Sequence, residues 1–412
     1  MHSKWKKNTS IFLLSQAISL FGSALVQYAI TWHITLSTQS GFYTTIAIVC
    51  GFLPTLFLSP FAGVWADRYN RKTLIVLADG GIALSTLVLA LLYMSGYREL
   101  WLLFAALAIR ALGGAVQTPC INAMLPDIVP TEHLTRVNGL NSSIQSFITL
   151  ASPMVSGALM GFASLEAIFF IDVITAGLAI FILMAFLKIE KKEKPAAQSH
   201  AARGYLAELK EGFAYIGRLP WLKNFFVFLG LFFIVIGPLS FLTPLQVARN
   251  YGDDVWRLTA IEVVFSVGMM LGGVIMASWG GFSNRTKTMA SAAVLMGVLA
   301  CGFALPIGFW PYIVIMGVIG LTMPMFNTPA IVLLQEKVDP AYLGRVFSIM
   351  SMITSTITPL GMMVFGPLAD VIAIEWLLLF SGTCVALIAL AIFTNRPLLQ
   401  IGETAAKEAS QP

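Results

Sequence analysis

Four ionisable side chains interrupt long apolar runs and are the residues best placed to do chemistry. Arg110 lies in AIRALGGAVQTP, Asp79 in LIVLADGGIAL, Asp172 in FFIDVITA and Glu262 in LTAIEVVFSVG. A buried carboxyl can bind and release a proton, whereas an arginine keeps its proton and can only pair, orient or attract. The four are therefore candidates for proton coupling or for contact with a solute. Arg110 stands about ten residues into its run, roughly 15 Å deep at ~1.5 Å per residue. A charge there costs on the order of 3 kcal/mol, so it must face the interior and find a partner. Asp79 is a candidate for that partner. Glu262 stands close to the outer end of its run, where a carboxylate can also reach water.

Uncharged polar residues recur at spacings of three and four. Gln16, Ser19, Ser23, Gln27 and Thr31 form one such set, Asn138, Asn141, Gln145, Thr149 and Ser152 a second, and Ser348, Ser351, Ser355 and Thr358 a third. That spacing places each set on one face of a helix. With Gln117, seven residues after Arg110, they are expected to line an internal cavity rather than meet lipid. A hydroxyl can instead bond to its own helix backbone, a reading that any single stripe leaves open.

The elements that must carry these residues are membrane helices. Only 11 % of the 412 residues are charged and 58 % are apolar, a balance that leaves too little charge to cover a soluble surface. About twelve apolar runs, from 10–36 to 375–394, each reach the ~20 residues needed to span the hydrocarbon core. Lipid leaves open backbone groups unsatisfied, so spans are helices or closed barrels, and the runs are too long and too little alternating for barrel strands. The expected fold is all-α and polytopic, with twelve transmembrane helices. MHSKWKKN and the run that follows resemble a secretory signal only superficially: the apolar stretch continues from Ile11 to about Leu36 and reads as an uncleaved first span.

Charge fixes the expected orientation. Of the 25 Lys and Arg, 21 fall in alternate loops on the side of the N-terminus, three fall on the other side, and Arg110 is within a run. This bias predicts cytoplasmic termini and accounts for the net charge of +5 without any nucleic-acid partner. The four cysteines lie in apolar runs without paired spacing, and the four histidines are scattered, so neither a disulfide framework nor a metal site is indicated. No phosphate-binding glycine loop points to ATP, and no cluster of catalytic residues points to an enzyme.

Composition divides the chain into an N-terminal six-helix bundle (1–187), a cytoplasmic linker with an amphipathic helix (188–221), a C-terminal six-helix bundle (222–394) and a cytoplasmic tail (395–412). The linker opens with the charged KIEKKEKPAAQSH. Leu206, Leu209, Phe213 and Ile216 then recur at helical spacing, which suits a helix lying on the membrane surface or packed on the ends of the spans. The bundles echo each other. Thr118-Pro119 and Pro130 match Thr328-Pro329 and Pro340, Arg136-Val137 matches Arg345-Val346, and Trp65, Asn70 and Arg71 match Trp279, Asn284 and Arg285. Such repeats characterise transporters that hold solute between two halves.

The loop GVWADRYNRK resembles motif A of the major facilitator superfamily, with Gly63, Asp67, Arg68, Arg71 and Lys72 in the motif positions and Asn70 where glycine is usual. The resemblance implies a cytoplasmic gate latch, with Gly63 allowing a close helix approach. The second copy, WGGFSNRTK, lacks the aspartate. Arg110 resembles the motif B arginine, which implies a part in proton coupling or solute contact; the aligned position in the other half is Gly320. The third and sixth spans are peripheral in that superfamily, which makes Asp172 more readily a packing or capping residue. ASPMVSG, at 151–157, keeps only Pro153 and Gly157 of the antiporter motif.

Across almost the whole chain the sequence resembles bacterial major facilitators of the macrolide-efflux type. FLPTLFLSPFAGVWADRYNRK (52–72), Arg110 with GGAVQTP (113–119), FFIDVITA (169–176), ELKEGFAYI (208–216) and LLQEKVDPAYLGRVFS (333–348) carry the likeness. It implies a major facilitator fold of two pseudo-symmetric bundles in the bacterial inner membrane, and export of amphipathic small molecules. It also implies proton antiport, with the proton gradient and no bound cofactor as the energy source. Siderophore exporters and lysophospholipid transporters resemble the chain at this level, and a non-transporting membrane receptor on the same scaffold is the alternative of a different class.

Overall fold

The computed structural model describes residues 2–187 and 205–409, without the side chains of 2–4, 60, 67, 135, 205–208 and 404–409. Its order is α1 (His2–Thr38), α2 (Gly41–Arg68), α3 (Arg71–Met94), α4 (Leu100–Ile128), α5 (Leu134–Phe162), α6 (Leu165–Phe186), α7 (Tyr205–Arg218), α8 (Pro220–Phe241), α9 (Thr243–Asn250), α10 (Val255–Trp279), α11 (Arg285–Gly302), α12 (Phe309–Lys337), α13 (Pro340–Leu368), α14 (Ile374–Ile392) and α15 (Arg396–Ala409). No strand occurs among the described residues. The expected linker residues 188–204 lie outside the described residues.

Eleven of these helices are long and apolar enough to cross a membrane, so the protein is a multi-pass membrane protein. The remaining position, expected at 288–306, is filled by α11. Thr286, Thr288, Ala290, Ala292, Ala293 and Gly297 of α11 are buried among its neighbours. A helix enclosed by protein has little need of the oily residues that face lipid. The seventh run, expected as one span over 222–248, breaks at Leu242 into α8 and α9. Pro244 lacks an N–H and its ring crowds the carbonyl four residues earlier, so the helix restarts there.

The chain folds as two compact units, one of Met1–Thr38 with Ile46–Ala202 and one of Gln39–Thr45 with Arg203–Pro412. In the first, α1 packs on α5 and α6, and α3 on α4 and α6. In the second, α8 packs on α13 and α14, and α11 on α12 and α14. The same pairing thus recurs with α8 in the place of α1 and α11 in the place of α3. The echo extends to the turns. Asn70 caps α3 by accepting the Thr73 N–H at 3.2 Å, and Asn284 caps α11 by accepting the Lys287 N–H at 3.2 Å. Arg71 then pairs with Asp127 at 2.6 Å and Arg285 with Glu336 at 2.7 Å. Asparagine is a favoured N-cap, which explains its presence where the superfamily usually has glycine.

In the second unit α10 and α12 cross closely. A Cβ on Gly320 would collide with the Phe265 carbonyl, so no side chain fits at the position that corresponds to Arg110. The amphipathic α7 packs on α13. Gly212 abuts Ile349 and Arg345, the Tyr215 ring stacks on Tyr342 with centroids 4.3 Å apart, and the Tyr215 hydroxyl accepts the Asp339 N–H at 3.1 Å. Of the two placements open from the sequence, α7 takes the one packed against a span.

Residues 39–45, with the first turn of α2, belong to the second unit through Asp370. Its carboxylate accepts hydrogen bonds from Ser40 Oγ at 2.7 Å and from the N–H groups of Gly41 at 2.7 Å and Phe42 at 2.9 Å. Arg249 pairs with it at 2.7 Å and donates to the carbonyls of Gln39 and Ala369. Burial alone would raise the Asp370 carboxyl, but the hydrogen bonds from Ser40, Phe42, Gly41 and Arg249 hold it below the ordinary carboxylate range.

Gly320→Leu is expected to force α10 off α12 and cost several kcal/mol, of the order of an overpacked core, read as a lowered melting temperature of the purified protein. Asp370→Asn is expected to cost about 1–3 kcal/mol at neutral pH. A carboxyl lowered on folding stabilises above its unfolded value and loses that contribution as pH falls through the folded one. The melting temperatures of wild type and Asp370→Asn should therefore converge at pH values below the ordinary carboxylate range and differ at neutral pH.

Candidate functional site

The deepest polar feature of the first unit is built by four helices. Gly22 of α1 lets α6 come close, since a Cβ there would collide with the Thr175 side chain. That approach brings Ser23 to Asp172, whose Oδ1 accepts from Ser23 Oγ at 3.3 Å. Asp172 Oδ2 pairs with Arg110 Nη1 from α4 at 2.6 Å, with the two side chains 0 % and 5 % exposed. Arg110 Nη1 also donates to Thr86 Oγ1 at 2.9 Å, and Nη2 donates to the Ser23 carbonyl at 2.6 Å. Thr86 Oγ1 is in turn 3.0 Å from Asp172 Oδ2. α1, α3, α4 and α6 thus each supply a group to one buried ion pair.

Arg110 therefore meets Asp172 rather than Asp79. Asp172, which read more readily as a packing or capping residue, is the fully buried counter-ion. Sequence reasoning missed Thr86. The available signal was its place seven residues after Asp79, two turns along the same face of α3.

Asp79 makes a second cluster that contains no cation. Its Oδ1 accepts from Ser19 Oγ at 2.8 Å and from Gln117 Nε2 at 2.7 Å. The carboxyl is 2 % exposed and forms no ion pair among the described residues. Gln16, one turn before Ser19 on the same face of α1, is buried, and neither polar atom of its amide has a hydrogen-bond partner among the described residues. Gln16, Ser19 and Gln117 lie inside the first unit, while Ser23 and Gln27 are half-buried. The first stripe thus serves two carboxyls, Asp79 through Ser19 and Asp172 through Ser23.

The other two stripes are open except at Ser152 and Thr358, which are buried. Gln145 and Thr149 on α5 and Ser351 and Ser355 on α13 are exposed. Thr149 bonds to the Gln145 carbonyl at 3.0 Å and Ser355 to the Ser351 carbonyl at 2.6 Å. The Thr149 and Ser355 hydroxyls satisfy themselves on their own helices, whereas the buried Ser152 Oγ has no hydrogen-bond partner among the described residues.

In the GVWADRYNRK loop, Arg71 donates to the carbonyls of Ala66 at 2.9 Å and Ala123 at 2.7 Å in addition to its pair with Asp127. Lys72 Nζ donates to the Leu187 carbonyl at 2.7 Å, at the end of α6 where carbonyls lack helical partners. These two basic residues bind the loop to α4 and α6 of the first unit. Arg68 is exposed, and the Asp67 side chain lies outside the described residues. Among the described residues no atom lies within 4 Å of a Cβ built on Gly63.

The chain matches the model of the Major Facilitator Superfamily over residues 12–362. It is 32 % identical over 391 residues to Macrolide efflux protein A of Streptococcus pyogenes, covering 94 % of this chain and 96 % of that one. It is 31 % identical to Macrolide efflux protein A of Enterococcus faecalis over 76 % of this chain and 96 % of that one. A more distant relative, Multidrug efflux pump Tap of Mycobacterium bovis (strain BCG / Pasteur 1173P2), is 23 % identical over 94 % of both chains. Among solved structures, a variant of the nucleoside transporter NupG aligns with a TM-score of 0.70 at 15 % identity, over 93 % of this chain and 99 % of that one. A bacterial homologue of the human lysosomal transporter Spinster, inward-facing and unoccupied, aligns with a TM-score of 0.68 at 14 % identity over 98 % of both. A family model over most of the chain, relatives above 30 % identity that are covered over nearly their whole length and the shared all-helical fold agree: the chain belongs to the Major Facilitator Superfamily of membrane transporters.

Proposed function

We propose that this protein exports amphipathic small molecules of the macrolide type from the bacterial cytoplasm, by alternating access in exchange for entering protons. The cargo class rests on the full-length likeness to Macrolide efflux protein A. The loop charge bias supports cytoplasmic termini in the inner membrane. The polar, self-satisfied faces of α5 and α13 suit helices that border a water-filled cavity rather than lipid.

The observation that carries the coupling is the imbalance of charge where α1, α3, α4 and α6 meet: among the described residues one cation, Arg110, stands against two carboxyls, Asp172 and Asp79, while a third buried carboxyl, Glu166, is paired with Arg98. Asp172 is committed to Arg110. Among the described residues Asp79 accepts from Ser19 and Gln117 alone, both on Oδ1, which leaves its other oxygen to take a proton. A proton bound there removes the uncompensated buried charge, and its release restores it. Arg110 pairs with Asp172 and holds α1, α3, α4 and α6 around the site. One proton entering down 100 mV supplies about 2.3 kcal/mol, enough for roughly fifty-fold accumulation of an uncharged solute. Lys72 and Arg71, which tie the motif A loop to α6 and α4, keep the cytoplasmic end of the first unit rigid as a gate element with Asp67 and Arg68.

Asp79→Asn preserves both hydrogen bonds but cannot take up a proton. It is expected to fold with an unchanged melting temperature, yet to lose at least tenfold in pH-gradient-driven export of a macrolide from proteoliposomes. Asp172→Asn leaves Arg110 buried without a counter-charge and is expected to cost about 3–5 kcal/mol of stability. In cells, overexpression should lower macrolide accumulation, and a proton uncoupler should abolish the difference. Full export by an Asp79→Asn protein under the same gradient would remove this carboxyl from the mechanism.

A further inference from the structure

Asp79 is buried, and a proton that binds it needs a route to water. Its Oδ2 has no hydrogen-bond partner among the described residues. Gln16, one turn before Ser19, is 2 % exposed, and its Oε1 and Nε2 both lack partners among the described residues. Side chains one turn apart on a helix are neighbours, and Ser19 touches Asp79, so the Gln16 amide borders the same carboxyl. One donor and two acceptors, all buried and unpartnered in one place, fit a buried water, which takes about three polar partners.

The same face of α1 carries two further orphans nearer the start of the helix. Thr9 Oγ1 and Trp5 Nε1 are buried without partners among the described residues. At 100° per residue, Trp5, Thr9, Phe12, Gln16 and Ser19 fall within an arc of about 80°. Phe12 is fully buried among Ala66, Ile75, Cys120, Ile121 and Met124, so this arc looks into the first unit. Along it stand polar atoms in need of water at Trp5 and Thr9, an aromatic ring at Phe12, and polar atoms again from Gln16 to Asp79. The rise from Thr9 to Gln16 is about 10 Å, the reach of about three waters in file. Two titratable groups flank the outer end: the His133 ring stacks on Trp5 with centroids 4.7 Å apart, and Lys6 Nζ lies 5.8 Å from the Trp5 ring.

We infer that the inner face of α1 is a water-lined proton path between Asp79 and the end of the first unit where α1 starts, with Gln16 positioning the water that meets Asp79 and the Phe12 ring as its plug. It deepens the proton reading of Asp79 and rests on it. Protonated Asp79 gives its proton to the water held by Gln16, and that water passes one proton on toward Thr9 and Trp5. The carboxylate left behind keeps the hydrogen bonds from Ser19 and Gln117. Rotation of the Phe12 side chain to another rotamer admits water for the transfer, and its return closes the path against leak. The exposed polar face of α5 is not needed for the proton, so proton and cargo take different routes through the first unit.

Proton flux into proteoliposomes of the purified full-length protein, read with a trapped pH dye and no macrolide present, tests the plug. Phe12→Ser removes the ring and adds a hydroxyl, because a purely apolar cavity stays dry. It is expected to raise cargo-free proton flux at least tenfold over wild type, and Phe12→Ser combined with Asp79→Asn to return it to the wild-type level. Gln16→Leu keeps a side chain of similar length and takes away the partners of the water. It should slow pH-gradient-driven macrolide export at least tenfold, with macrolide binding in detergent within twofold of wild type. The path is overturned by wild-type export from Gln16→Leu, by an equal loss of macrolide binding in that variant, or by cargo-free flux in Phe12→Ser that is absent or survives Asp79→Asn. Should Phe12→Ser not fold, the export and binding of Gln16→Leu decide alone. Failure of the proton reading itself appears separately, as full export by Asp79→Asn.

Discussion

A guanidinium buried in a membrane bundle organises the first unit. An isolated Arg110 would be too costly to leave unpaired at that depth, and the cost is relieved only when four helices bring it groups to bind. Asp172 from α6 supplies the charge, Thr86 from α3 a hydroxyl, and Ser23 from α1 a carbonyl. Each partner comes from a helix with its own reason to be near. Gly22 admits α6 to α1, and α3 packs on both α4 and α6. The ion pair is more a specification of which faces meet than a source of net stability, since its attraction is set against two desolvated charges.

With Arg110 and Asp172 satisfied by each other, Asp79 is left with neutral donors. That division gives two carboxyls in one unit different surroundings. One is paired with a fixed cation; the other accepts hydrogen bonds from uncharged side chains and has no ion pair among the described residues. The second unit solves the same packing problem without any such centre. At the position matching Arg110 it has Gly320, and the room an arginine would need is occupied by the α10 backbone. Its mid-span carboxyl, Glu262, is half-buried on α10 and has no ion pair among the described residues.

Repetition is clearest where the chain turns. Asn70 and Asn284 cap equivalent helices, and Arg71 and Arg285 reach equivalent acids at the ends of α4 and α12. These short-range devices fix where each helix starts, so the same pairing of helices can recur although the two halves bury different side chains. The second unit also claims the first turn of α2 through Asp370, which satisfies two helical N–H groups that would otherwise lack partners.

The sequence by itself determined the class of structure. The length of the apolar runs, the scarcity of charge and the loop bias left membrane helices as the physical solution, and the echoing turns exposed the two-bundle repeat. It also singled out Arg110, Asp79, Asp172 and Glu262, because charge in an apolar run is visible without coordinates. Partner choice was settled only in three dimensions. Whether Arg110 meets Asp79 or Asp172 depends on the rotation of α6 against α1, which is set by a contact at Gly22 that spacing along one helix cannot encode. Whether the polar stripes face inward was likewise undecided, since periodicity gives a face but not its neighbour; packing buried Gln16 and Ser19 and left Gln145 and Ser351 open. The break at Leu242 and the seat of α7 on α13 have the same origin, in backbone geometry and side-chain packing between segments far apart in the chain.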